Sequence, residues 1–267
     1  MKKAILFLAF ALAVWVLWAN TAIEVNEWTI EGADIPEGFD GFRIAQVSDL
    51  HNAEFGEGNG RLLELLGSAE PDIIVITGDL IDSRNTDVEV ALAFAKAAVE
   101  IAPCYYVSGN HEARVTRWET LRAGLAGAGV TVLEDEKVTL ERSGDAVTLV
   151  GMSDPDFRMP FADDLRTLMA GEEGYTILLS HRPESFRLYV HCGADLVFSG
   201  HAHGGQVRIP FVGGLVAPHQ GFFPEYDSGL YREGGTSMLV SRGLGNSIIP
   251  LRINNRPEII VAILKHP

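Results

Sequence analysis

From Gly41 onward, short aliphatic and β-branched runs alternate with stretches whose apolar residues recur at helical spacing. Residues 42–47, 72–76, 105–107, 176–179 and 196–198 read as strands, and 61–66, 88–100 and 118–126 read as helices. This alternation predicts α/β order. Residues 130–133, 138–140, 147–150, 206–209, 238–240 and 258–264 are further strand candidates with few long helices between them. They imply a second, more antiparallel sheet, giving two packed sheets flanked by helices in one domain. No internal repeat or low-complexity tract interrupts the pattern, and the short 31–41 stretch is the one candidate joint.

The N-terminal pattern is different. After Lys2 and Lys3 no charge occurs until Glu24, leaving an uncharged run of 20 residues, 4–23. At about 1.5 Å per residue such a helix just spans a hydrocarbon core of about 30 Å. Trp15 and Trp18 lie near its far end, where amphipathic rings favour the interface, and the lysines precede it as positive-inside charges. The expectation is a single-pass anchor with the remaining chain outside the cytoplasmic membrane. Secretion after cleavage of a signal segment is the alternative; the small-x-small spelling Ala11-Leu12-Ala13 lies in mid-run, where cutting would expose Val14 to Trp18.

Composition narrows the classes. A chain of 267 residues, 47% hydrophobic and 21% charged, fits one large globular domain and excludes disorder. The formal charge of -15 has the wrong sign for phosphate-backbone binding and argues against a dedicated nucleic-acid binder. Two cysteines, Cys104 and Cys192, are too few for a disulfide scaffold.

The chemistry lies at the ends of the first group of strands. Ser48-Asp49-Leu50-His51, Gly78-Asp79, Gly109-Asn110-His111-Glu112, Ser180-His181 and Gly200-His201-Ala202-His203 each place a ligand-type side chain at a strand's C-terminal end, the edge where sites form in open α/β sheets. Any one of these residues alone reads equally well as a turn or capping residue. Five of the 8 histidines fall at these ends, and that coincidence carries the reading. Asp, His and Asn without cysteine suit divalent Mn, Fe, Zn, Ni or Co, with Mn favoured. An aspartate can bridge two cations about 3.5 to 4 Å apart, and Asp79 is the natural bridge. The neighbouring Gly78, Gly109, Gly200, Gly204 and Gly205 read both as turn formers and as room for close backbone approach.

In this order, Asp49-x-His51, Gly78-Asp79, Gly109-Asn110-His111-Glu112, His181 and Gly200-His201-x-His203 resemble the five blocks of the calcineurin-like metallophosphoesterase superfamily. The flanking text, Gly204-Gly205-Gln206 and Ser241-Arg242-Gly243-Leu244-Gly245-Asn246, is similar to its membrane-associated bacterial phosphodiesterase subgroup. The resemblance implies a four-layer αββα sandwich of two mixed sheets over 42–267, preceded by a 1–23 anchor or signal segment and a 24–41 linker and first strand. It further implies one metal on Asp49, His51, Asp79 and His203 and a second on Asp79, Asn110, His181 and His201, with His111 off the metals near the leaving oxygen. A hydroxide shared by the two cations would then attack phosphorus without a side-chain nucleophile.

Several residues stay outside that assignment. Glu112 and Asp82 read as supporting or solvated carboxylates. His191, His219 and His266 read as ordinary polar residues, and Asp154-Pro155-Asp156 as a turn. Phe222, Phe223, Tyr226, Arg242 and Asn246, in the Gly/Pro-rich stretch 213–246, are candidates for substrate contact. The expected activity is metal-dependent hydrolysis of an envelope phosphodiester, lipid- or wall-linked, with no protein partner inferable. The alternatives are hydrolysis of a UDP-diacylglucosamine-type pyrophosphate and a non-catalytic metal-holding scaffold; a nuclease is disfavoured by the acidic charge.

Overall fold

The computed structural model describes residues 2–157, 160–246 and 251–267. In chain order the elements are α1 (Lys2–Thr21), β1 (Glu24–Glu31), β2 (Arg43–Val47), α2 (Gly60–Ser68), β3 (Ile73–Thr77), α3 (Val88–Ala98), β4 (Cys104–Val107), α4 (Asn110–Ala113) and α5 (Trp118–Gly127). There follow β5 (Thr131–Val132), β6 (Glu136–Arg142), β7 (Asp145–Gly151), α6 (Phe161–Met169), β8 (Thr176–Leu179), α7 (Phe186–His191) and β9 (Leu196–Ser199). The last part holds β10 (Arg208–Ile209), β11 (Gly213–Gly214), β12 (Val216–Ala217), β13 (Gly221–Phe222), β14 (Gly229–Glu233), β15 (Thr236–Val240) and β16 (Glu258–Lys265).

Two six-stranded sheets result, ordered β1-β16-β2-β3-β4-β5 and β14-β15-β9-β8-β7-β6. Strand periodicity explains the layers. In β3, Ile73 and Val75 point between the sheets, where they join Leu149, Ile177, Leu179 and Phe198. Ile74 and Ile76 point the other way, onto Leu62, Leu66, Phe94 and Leu121 of α2, α3 and α5. In the second sheet, Leu178 and Val197 turn outward onto Leu165, Phe186 and Tyr189 of α6 and α7. Helix, sheet, sheet and helix therefore stack around three apolar cores.

The second sheet is less antiparallel than its sequence suggests. β7, β8, β9 and β15 run parallel, and only the β6–β7 and β14–β15 hairpins reverse direction. The short helices α6 and α7, which the sequence analysis did not single out, are sufficient crossovers.

β1 pairs in parallel with β16 along its whole length, from Glu24 opposite Glu258 to Glu31 opposite Lys265. The stretch after α1 is thus a sheet strand fixed to the domain. The 31–41 joint lies at the far end of that strand and carries a single 3-10 turn over Glu37–Phe39. Among the described residues no helix is long and apolar enough to cross a membrane. α1 nevertheless exposes Leu6, Phe7, Leu8, Phe10, Val14, Leu17 and Trp18.

Candidate active site

Each sequence block sits where a strand ends. β2 leads into Asp49 and His51, β3 into Gly78 and Asp79, β4 into Gly109 to Glu112, β8 into His181, and β9 into His201 and His203. The first three strands belong to one sheet and the last two to the other, so the site forms along the shared edge of the sandwich. Gln46 ties that edge together, donating from Nε2 to the Ser199 carbonyl at 2.9 Å. Asp49, His51, Asp79, His201 and His203 have φ of 52, 47, 53, 65 and 49°, a region that non-glycine residues rarely adopt. Such backbone persists only where the surroundings over-determine it, and it concentrates at functional sites. Here cross-loop bonds hold it: the nitrogens of Asp49 and His51 donate to the carbonyls of Gly78 and Asp79 at 3.1 and 3.0 Å.

The side chains converge as two groups. Asp49, His51 and His203 bring one ligand atom each within 4.8 Å of one another, and Asp79, His181 and His201 do the same. Asp79 Oδ2 lies 3.7 Å from His51 Nε2 and 3.3 Å from His181 Nε2, which places this carboxylate between the groups. Asn110 is buried with its Oδ1 unpartnered. Buried polar atoms without partners cost roughly 1–3 kcal/mol each, so a native site that keeps them calls for an explanation. A cation supplies one.

The donor set fits a divalent cation on further grounds. His181 Nδ1 lies 2.7 Å from the Thr77 carbonyl, which can only accept. A ring hydrogen therefore sits on Nδ1, the usual orienting bond of a metal-binding histidine, and this turns Nε2 toward the Asp79 carboxylate and the cation position. Burial disfavours a charged His181, but the Asp79 carboxylate outweighs it and raises the ring to about 10. Asp79 is held well below the usual carboxylate range by that same ring, against its burial.

His111 belongs to neither trio but adjoins the first: its ring centroid lies 4.5 Å from that of His51, and with His51 and Asp82 it forms a further close set of ligand-type atoms. Its Nδ1 accepts from the Ser83 backbone nitrogen at 2.9 Å, which puts the ring hydrogen on Nε2. Glu112 is fully buried beneath Asp79, and its Oε2 accepts from the nitrogens of Asp79 and Gly109 at 2.9 and 2.8 Å. This is a supporting role. Burial and the Asp79 carboxylate push Glu112 up to about 8, against the two backbone N–H groups. Asp82, also buried, binds Arg84, which outweighs its desolvation and lowers it to about 2.

Close approach explains the glycines at Gly109 and Gly200. A Cβ would stand 2.2 Å from Asp79 Oδ1 at the first and 2.0 Å from Ser48 Oγ at the second.

Several contributors escaped the sequence reading. Arg182, next to His181, is buried and grips Asp154 through Nε and Nη2 at 2.5 and 2.7 Å. Asp154-Pro155-Asp156 is therefore more than a turn: it fixes this guanidinium. His219 is exposed but stacks on His201, with Nδ1 2.9 Å from His201 Nε2. It orients a proposed ligand and is no ordinary polar residue. Arg252 is fully buried, and its Nη2 lies 3.4 Å from His203 Nδ1. Position beside His181 was a legible signal for Arg182; His219 and Arg252 reach the site only through long-range folding. A cavity of about 280 Å³ opens over the cluster, lined by Asp79, Asn110, His111, Arg114, His203 and His219 among others.

The proposed substrate contacts in 213–246 do not line that cavity. Tyr226 packs on Phe186 and Tyr231. Arg242 pairs with Glu24 and Glu258, and Asn246 Oδ1 accepts from Arg252 Nε. Phe222 and Phe223 point into solvent. Apolar and cationic residues in a loop look alike in sequence whether they face a pocket, a neighbouring strand or water.

The family model of calcineurin-like phosphoesterases matches residues 42–205. The uncharacterized metallophosphoesterase YkuE of Bacillus subtilis is 32% identical over 91% of this chain and 86% of its own length. Phosphodiesterase YaeI of Escherichia coli is 32% identical over 82% of this chain and 80% of its own. Among solved structures, TT1561 of Thermus thermophilus shares the fold, with a TM-score of 0.54 at 15% identity over 76% of this chain and 90% of that one. With the strand-end blocks, the converging carboxylates and imidazoles and these likenesses together, the chain belongs to the calcineurin-like phosphoesterase family and is a metal-dependent hydrolase of phosphoric ester bonds.

Proposed function

We propose that the substrate is a phosphodiester of the cell envelope and that the site works with two divalent cations. Asp49, His51 and His203 hold one, His181, His201 and Asn110 hold the other, and Asp79 is shared. The observation that carries this reading is the position of the Asp79 carboxylate, within 3.7 Å of His51 Nε2 and 3.3 Å of His181 Nε2. When bound, such a pair acidifies water and screens phosphate charge.

The chain's own residues do the rest. His111 Nδ1 is occupied by the Ser83 N–H, so the ring presents its Nε2 hydrogen and stabilises the departing oxygen by a hydrogen bond. The backbone donor leaves no room for a second ring proton, which favours stabilisation over full proton delivery. His219 keeps the His201 ring oriented, and Glu112 fixes the loop carrying Asp79. No serine or cysteine is needed as nucleophile. Val216, Ala217 and Pro218 give the cavity an apolar wall on one side of the cluster, suited to an ester group larger than a hydrogen.

The envelope reading is supported by the apolar side chains that α1 exposes. Metal content of the purified full chain and turnover of matched mono- and diester aryl phosphates test the proposal together. Two ions per chain with diester preference supports it; a folded, active protein saturating at one ion overturns the two-cation site.

A further inference from the structure

The helix α1 leaves the domain at the catalytic edge. β1 starts with Glu24 opposite Glu258, β16 runs antiparallel to β2, and Ile260 stands opposite Gln46. The start of β1 therefore lies beyond Val47, where Asp49 and His51 emerge. Hydrogen bonds extend this contact. Asn20 Oδ1 accepts from the Arg252 nitrogen at 2.8 Å and Asn20 Nδ2 donates to the Arg252 carbonyl at 3.1 Å. The next residue, Ile253, accepts from the Arg208 nitrogen at 2.9 Å, at the start of the β10–β11 hairpin.

That hairpin carries Phe211 and Val212 at its tip, both exposed. The adjacent β12–β13 hairpin supplies Val216, Ala217, Pro218 and His219 to the cavity wall and then exposes Phe222 and Phe223. The foot of an apolar helix, the rim of the cavity, one hairpin tip with Phe211 and Val212, and the exposed Phe222 and Phe223 at β13 are thus joined within a few residues. Apolar and aromatic groups of this kind on one edge, beside an apolar helix, match an interfacial lipid contact. Electrostatics does not recruit it: the chain carries -15, which repels anionic headgroups.

We propose that the catalytic edge is seated on a lipid bilayer, with Phe211, Val212, Phe222 and Phe223 inserted at the headgroup level, so that the cavity receives the phosphoester of a lipid. The proposal rests on the envelope-phosphodiester reading and narrows it to a substrate drawn from the bilayer itself. α1 holds the edge in place from one side and the exposed aromatics of the two hairpins wet it from the other. Seating of this sort is apolar in origin and insensitive to salt.

The test uses the full chain reconstituted in phosphatidylcholine nanodiscs whose acyl chains carry bromine. The added fluorescence of Phe211→Trp and of Phe222→Trp is compared with that of Ser143→Trp, in the β6–β7 turn at the opposite end of the strands. Quenching at the first two positions by about twofold or more, with none at Ser143→Trp, is expected for side chains at the interface. Equal exposure of all three to aqueous iodide, with no quenching by bromolipid, overturns the seating. Turnover gives a second arm. Phe211→Ser with Val212→Ser is expected to leave hydrolysis of soluble bis(4-nitrophenyl) phosphate unchanged and to slow that of hexadecyl 4-nitrophenyl phosphate in the nanodisc by about tenfold, the lost interfacial anchoring. Equal rates for variant and parent in the nanodisc overturn lipid delivery. Failure of the parent to cleave either diester, with bromolipid quenching intact, refutes the phosphodiester reading and spares the seating.

Discussion

The carboxylate of Glu112 accepts the backbone N–H of Asp79 at 2.9 Å, so one buried acid holds the loop that carries the other. Its second oxygen accepts from Ile81 at 3.3 Å, and the Gly109 nitrogen donates at 2.8 Å. Glu112→Ala leaves these buried donors without an acceptor, at roughly 1–3 kcal/mol for each. The expected loss is at least about 2 kcal/mol of unfolding free energy, read by urea denaturation, with weakened metal retention. Glu112→Gln, which keeps a carbonyl acceptor, is expected to lose less; an equal loss in both would show that charge, not hydrogen bonding, is what the loop requires.

The same residue sets a pH dependence in the metal-free protein. Glu112 is raised from an ordinary 4.5 to about 8 in the fold by burial and Asp79. The folded state therefore holds a proton that the unfolded chain has released, and the stabilising contribution is complete below 4.5 and lost as pH rises through about 8. Chelated protein is expected to weaken over this window, and Glu112→Gln to flatten that part of the slope. Identical slopes in the parent and the variant would count against a shifted Glu112.

Asp79→Asn removes the shared charge from both ligand groups. It is expected to lower metal content in both sites together and to cost more activity than a change at Asp49, His51, His181, His201 or His203 alone. Elemental analysis with one full site retained would show that Asp79 serves a single ion.

His111→Ala is expected to keep the metals and to lose roughly two to four orders of magnitude in turnover on esters with poor leaving groups, with a smaller loss on activated aryl esters. The contrast arises because a leaving oxygen of low basicity needs less help from the Nε2 hydrogen. Uniform loss with metal release would make the ring structural.

Gly200→Ala would bring a Cβ to 2.0 Å from Ser48 Oγ and 2.5 Å from Asp49 Oδ2. Ser48 Oγ is held by Asp49 Oδ2 and the Thr77 carbonyl at 2.6 and 3.2 Å, so neither side chain yields freely, and a loss of about 1–3 kcal/mol from overpacking is expected, together with weakened metal binding at Asp49. Gly67→Ala, where a Cβ meets nothing within 4 Å, is the matched control and should be neutral or stabilising.

The sequence by itself determined the strand ends and the residues placed there. An alternating apolar strand followed by a sharp polar turn is a local pattern, and Asp49, His51, Asp79, Asn110, His111, His181, His201 and His203 could be read from it with their order and their chemistry. It did not carry the partition of strands between the sheets: residues 130–133 and 258–264, read as part of the second sheet, lie in the first as β5 and β16, while 176–179 and 196–198 lie in the second as β8 and β9. Tertiary structure alone decided what lies far apart in the chain. Pairing of Glu24 with Glu258, the grip of Asp154 on Arg182, the stacking of His219 on His201 and the reach of Arg252 to His203 depend on contacts that no local periodicity records. It also separated residues that sequence treats alike, burying Tyr226 and engaging Arg242 with Glu258 while turning Phe222 and Phe223 to solvent. Local propensity fixes which way a side chain points from its own strand or turn; which partner it then meets depends on the register between segments that can lie at opposite ends of the chain, set when the sheets close.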